Sequence, residues 1–116
     1  MIRGVVEMCN IDKVFDDISK LEYNWNGYEA EPFKQEFLDS CKTLIKQLIV
    51  EPKIFPTGRD SIQIEYEGKN GYLEFEIFED KIGALLVRPN GRHLSFTILS
   101  LHSETLNVFI EEFFDM

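Results

Sequence analysis

The sequence predicts an α+β domain: two N-terminal helices, a four-stranded antiparallel meander and a C-terminal helix, with the helices packed on one sheet face. Three observations carry this. Apolar residues recur at steps of three and four near both ends of the chain, they alternate every second residue through its middle, and turn residues separate the alternating runs. At 116 residues the chain has room for one domain, 1–116, large enough to bury a core without metals or disulfides.

The first helix begins at Asn10, a candidate N-cap, and carries Ile11, Val14, Phe15, Ile18 and Leu21 on one stripe. Residues 2–8 either extend it backwards or form a short strand. Asn24-Trp25-Asn26-Gly27-Tyr28-Glu29-Ala30-Glu31 interrupts the period, and Pro32 is expected in the first turn of a second helix. Phe33, Phe37, Cys41, Leu44, Ile45 and Leu48 make its stripe. Pro52 is expected to end it, and Pro56-Thr57-Gly58-Arg59 reads as a loop. Ile62, Ile64 and Tyr66 then alternate with Gln63, Glu65 and Glu67, and Leu73, Phe75 and Ile77 with Glu74, Glu76 and Phe78. Two further strands, at about 82–88 and 93–99, meet through Pro89-Asn90-Gly91-Arg92. Leu106, Phe109, Ile110 and Phe113 place a third helix at the end, with Ser103 as its expected N-cap.

Strand parity assigns the faces. A turn on Lys69-Asn70 sets Glu67 opposite Tyr72, Glu65 opposite Glu74 and Gln63 opposite Glu76; a turn on Asn70-Gly71 shifts the register by two and keeps the faces. In both, Glu65, Glu67, Glu74 and Glu76 share one side. A two-residue turn on Asn90-Gly91 pairs Arg88 with His93, so that Leu85, Val87, Leu94, Phe96 and Ile98 form the dry face. Joining the two hairpins then needs an odd-length connection, either a three-residue loop at Glu79-Asp80-Lys81 or a bulge at Gly83. Under that join, Arg88 and His93 reach the acidic face with Ser95 and Thr97. Opposed glutamates repel by a few tenths of a kcal/mol per pair, roughly, so a nearby cation or a basic ligand is expected. Arg88 is the internal candidate for that cation. The plainer explanation is that one face of an antiparallel sheet commonly meets water.

The net charge of -9, from 21 acidic and 12 basic residues, repels phosphate backbones and anionic lipid. Nucleic-acid binding is thereby disfavoured and a basic protein partner favoured. Cys9 and Cys41 have no metal-ligand spacing with His93 or His102, and Cys41 on a helical stripe reads as a core thiol. No cofactor or metal is expected. No apolar run approaches membrane-spanning length and residues 1–7 lack a signal-peptide core, so the expected location is cytoplasmic.

The chain has no catalytic motif, and no catalytic residue is assigned. An enzyme or ligand-binding module would have to use Glu74 or Glu76 as acid or base with His93 as titrating partner and Arg88 beside them. Trp25 and Tyr28 offer aromatic anchors for a partner, or Trp25 caps the core while Asn26-Gly27 turns the chain. Arg59 and Asp60 sit in a loop position suited to recognition, or pair to fix that loop. Phe114 and Met116 could extend an apolar patch, making a homodimer through the C-terminal helix an expectation.

Trp25-Asn26-Gly27-Tyr28-Glu29-Ala30-Glu31-Pro32, a helix, Pro56-Thr57-Gly58 and the strands Ile62–Tyr66 and Leu73–Ile77 together resemble a set of short bacterial proteins of uncharacterised function. In that set a Trp-Asp/Asn-Gly motif precedes an Ala-x-Pro helix start, and a Pro-x-x-Gly loop precedes a hairpin of Leu-Glu-Trp and Leu-Glu-Ile-Glu form. This chain has Tyr66 where tryptophan is common there. The resemblance spans roughly residues 24–77 and implies a bacterial or phage-derived accessory protein, of the kind found with toxin, immunity and defence genes. It carries over no catalytic residue. The functional expectation is a small acidic, non-enzymatic interaction protein, an antitoxin, immunity or defence-associated factor, that binds a protein partner.

Overall fold

A computed structural model describes residues 10–116. The expected extension or strand at residues 2–8 lies outside that range. Helices α1 (Asn10–Ser19) and α2 (Gln35–Lys46) precede five strands, β1 (Lys53–Pro56), β2 (Ile62–Gly68), β3 (Gly71–Ile77), β4 (Ile82–Val87) and β5 (His93–Ile98), and α3 (Ser103–Phe114) closes the chain. The strands form one antiparallel meander in chain order. The α+β class holds, with five strands instead of four.

The added strand, β1, lies between the expected end of α2 at Pro52 and the expected loop, of which it takes in only Pro56. It pairs Ile54 with Ile64 and Pro56 with Ile62 at one sheet edge, where a residue without an amide proton is tolerated. Helix α2 is shorter than expected at both ends. It starts three residues after Pro32 and stops at Lys46, well before Pro52. Asn107 of α3 holds the chain beyond α2: its amide nitrogen donates to Gln47 O (3.1 Å) and its Oδ1 accepts from the Ile49 amide (2.9 Å). Two capping expectations also change. Asn10 is already helical, and His102 is the N-cap of α3, while the Ser103 hydroxyl donates to Gln47 Oε1 (2.7 Å).

The β2–β3 turn is Lys69-Asn70, with Gly68 opposite Gly71 and Glu65 opposite Glu74. The second hairpin departs from expectation by one residue. Arg88 N donates to Arg92 O (2.7 Å), and Gly91 at φ +87 completes a three-residue loop, so His93 pairs with Val87 and not with Arg88. The join between hairpins is also one residue different. Phe78 N donates to Lys81 O (2.9 Å) around a two-residue Glu79-Asp80 turn, and the ladder runs without a bulge at Gly83. The dry side of β4 is therefore Ile82, Ala84 and Leu86, while Leu85 and Val87 face outward.

One core gathers the inward residues of β2–β5 and the apolar stripes of all three helices. Phe75, Ile62, Ile64, Ile82, Leu106 and Ile110 are completely enclosed. Cys41 lies among them, and burial pushes its thiol up to about 12. Tyr66 spans the core: its hydroxyl donates to Val50 O (2.6 Å) and its ring meets Phe114 edge-on at 5.7 Å. Phe114 is thus half-buried against its own chain, while Met116 stays exposed at the terminus.

Candidate functional site: the outer face of the sheet

Every fully buried strand side chain points to the helices, and no outward residue of β1–β5 is buried. Among the described residues, no helix covers the outer face, and the β1–β2 loop reaches it only at Glu76. Registers place its side chains in three rows across the strands. One row is Lys53, Glu65, Glu74, Leu85 and Ser95; beside it on one side run Phe55, Gln63, Glu76, Gly83 and Thr97, and on the other Glu67, Tyr72, Val87 and His93. Carboxylates fill β2 and β3, whereas β4 offers Gly83, Leu85 and Val87. Gly83 leaves an open notch of about 340 Å3 bordered by Glu74, Glu76, Leu85 and Thr97.

The four glutamates do share this face, and each has a partner. Glu76 is the most tightly held. Its Oε2 accepts from Arg59 Nε (2.9 Å) and from the hydroxyl of the buried Ser61 (2.5 Å), which the Thr57 hydroxyl approaches at 2.5 Å. The Ser61 proton is committed to the carboxylate, so Thr57 donates to Ser61. The internal cation is therefore Arg59, not Arg88. Tyr72 OH donates to Glu74 Oε1 (2.7 Å), and Gln63 Nε2 donates to Glu65 Oε2 (2.7 Å). Burial first, then the Glu74 and Glu65 carboxylates, hold the Tyr72 phenol above the usual tyrosine range. Among the described residues Glu67 pairs with an exposed Lys53 at 3.9 Å, a pair that adds little stability.

Arg88 and His93 do not arrive together. The one-residue shift puts Arg88 on the helix side, where it lines a small cavity with Glu112 and Phe109. His93 stays on the outer face but on β5, with β4 between it and the glutamates of β3. Two strand spacings separate those strands, about 10 Å. The grouping of Glu74, Glu76, Arg88 and His93 that proton transfer would need is thus not formed. Among the described residues, no three His, Cys, Asp or Glu side chains are placed to hold a metal ion, and no helix is long and apolar enough to cross a membrane.

Trp25 and Tyr28 divide in the same way. The Trp25 indole donates to Glu31 O (3.1 Å) and packs 5.9 Å from Phe33, so it closes its own loop. Tyr28 is 86% exposed. Two asparagines shape the segment: Asn24 Oδ1 accepts from the Glu29 amide (2.6 Å), and Asn26 Oδ1 from those of Tyr28 (2.8 Å) and Ala30 (3.2 Å). The Asn26 amide also rests on Gly58, where an added Cβ would lie 2.6 Å from its Nδ2. Contact between these two positions links the Trp-Asn-Gly segment to the Pro-Thr-Gly loop.

Phe33, Phe37 and Phe78 line an open cleft of about 430 Å3, rimmed by Lys34, Arg59 and Asp80. Its walls come from three separate stretches of chain, and the only sequence signal was Phe78, an aromatic where the alternation calls for a polar residue. No protein-family model, no curated protein and no solved structure matches the chain.

Proposed function

We propose that this protein is a small, non-enzymatic interaction factor that binds a basic surface of a protein partner with the outer face of its sheet. The observation that carries this reading is the mixed character of a face on which no described element packs. Tyr72, Leu85 and Val87 stand half-buried beside Glu65, Glu67 and Glu74, and an aromatic or aliphatic centre with a charged margin is how protein interfaces are commonly built. Carboxylates at the margin steer a cationic partner and select against anionic ones. Glu76 has a different task, because Arg59 and Ser61 already engage it; it braces the β1–β2 loop. The resemblance of residues 24–77 to short bacterial proteins supports an accessory role, such as an antitoxin or immunity factor in the cytoplasm.

Affinity capture from the native host tests the reading when three baits are compared: wild type, Glu65→Lys with Glu74→Lys, and Gly83→Arg. The arginine fills the notch between Glu74 and Leu85 and stands opposite Glu76, so it blocks the face by bulk and offers its carboxylates an internal cation, while every glutamate stays in place. Loss of the same partner from both variants is the expected result. An unchanged partner set in both would remove the outer face from the account.

A further inference from the structure

The two edges of the sheet differ. β1 is short, flanked by Pro52 and ended by Pro56, and carries Lys53, all devices that discourage another strand from pairing with it. β5 has none of these. Its six residues, His93–Ile98, contain no proline and no lysine, arginine or carboxylate, and pair with β4 in unbroken register. The bond from Arg88 N to Arg92 O fixes the alternation: Leu94, Phe96 and Ile98 point their backbone groups at β4, so those of His93, Ser95 and Thr97 point away from the sheet. Among the described residues, no strand takes them up.

Charge and apolar exposure favour one occupant. In a chain of net charge -9, the stretch from Lys81 to Ser103 has no carboxylate. Within it β5 carries no lysine, arginine or carboxylate, so a second copy meets no like charge along the strand itself. Leu94 is 57% exposed, Leu99 80% and Leu101 39%, so apolar side chains flank the unpaired backbone. We infer that β5 pairs antiparallel with β5 of a second copy across a two-fold axis through the Ser95–Thr97 segment, joining two five-stranded sheets into one of ten. The glutamates of the two β3 strands then lie five strand spacings apart, about 24 Å, beyond the screening length of about 8 Å at physiological salt. Self-pairing therefore leaves both acidic faces free and is independent of the partner proposed above.

Sedimentation equilibrium across a concentration series tests the inference. The mass should rise with concentration toward twice 13.6 kDa, with slower hydrogen exchange at the amides of His93, Ser95 and Thr97. Thr97→Pro removes an amide that the β4–β5 ladder does not use and should leave a folded monomer. Ser95→Glu, which adds like charges across the axis, should do the same if the proline variant misfolds. The mass should survive a rise from about 50 to about 500 mM salt, unlike a head-to-tail dimer of acidic face on basic hairpin. A monomer at every concentration, or a dimer that both variants retain, overturns the inference. So does a dimer that salt dissolves.

Discussion

Two glycines on neighbouring strands should respond in opposite ways to the same added methyl group. Gly71 begins β3 at φ +113, and a Cβ there would lie 1.9 Å from the Val87 carbonyl oxygen. Relief requires β3 and β4 to separate by more than an ångström, at the Tyr72–Val87 pair that sets the register. Backbone strain of about 1–3 kcal/mol and two weakened ladder bonds of about 1 kcal/mol each put the cost of Gly71→Ala at roughly 3–5 kcal/mol. That is a large share of the roughly 5–15 kcal/mol that holds a domain together, and should lower Tm by about 12–20 °C. Gly83 has no positive φ, and nothing lies within 4 Å of its added Cβ. Gly83→Ala should therefore be neutral or stabilising, by up to about 1 kcal/mol. Urea unfolding followed by circular dichroism measures both. A Gly71→Ala protein within about 1 kcal/mol of wild type would refute the β3–β4 register, and with it the placement of Leu85 and Val87 on the outer face.

The same register is probed by side-chain polarity on β4: Leu85→Lys should cost less than about 1 kcal/mol, whereas Ala84→Lys, opposite Phe75 in the core, should prevent folding, as a thermal melt would show. Asn26→Ala removes the acceptor for two loop amides and should cost about 1–2 kcal/mol, with faster proteolysis between Asn24 and Ala30; unchanged digestion would count against the loop's role. Cys41 should resist alkylation in the native protein, read at its own peptide by mass spectrometry. Its raised folded value means that stability is intact below the ordinary thiol range and falls as pH climbs toward about 12, by about 1.4 kcal/mol per unit. Cys41→Ala should flatten that alkaline decline.

Periodicity carried the helices and the first hairpin because their apolar positions are separated by polar ones: Glu65 and Glu74 mark the wet side as clearly as Ile64 and Phe75 mark the dry one. β4 lacks that contrast. Ala84, Leu85, Leu86 and Val87 are apolar on both faces, so nothing local fixed its parity, and the turn on either side decided it. Pro89-Asn90-Gly91 admits a two- or a three-residue loop, and only the pairing of Arg88 with Arg92 distinguishes them. β1 is not legible because a four-residue strand that ends on a proline and follows another shows too little alternation to stand apart from a loop. The cation for Glu76 was missed for a related reason: Arg59 is seventeen residues away in sequence and is brought in by the β1–β2 turn. Co-facial placement of the glutamates was readable; the company they keep required the registers.

Binding of the captured partner to wild type and to Gly83→Arg, titrated by calorimetry, tests the central claim most directly. The account predicts a folded variant whose affinity falls by at least about tenfold, with wild-type binding that weakens as salt rises. Equal affinities for the two proteins, with the fold of the variant confirmed, would contradict it.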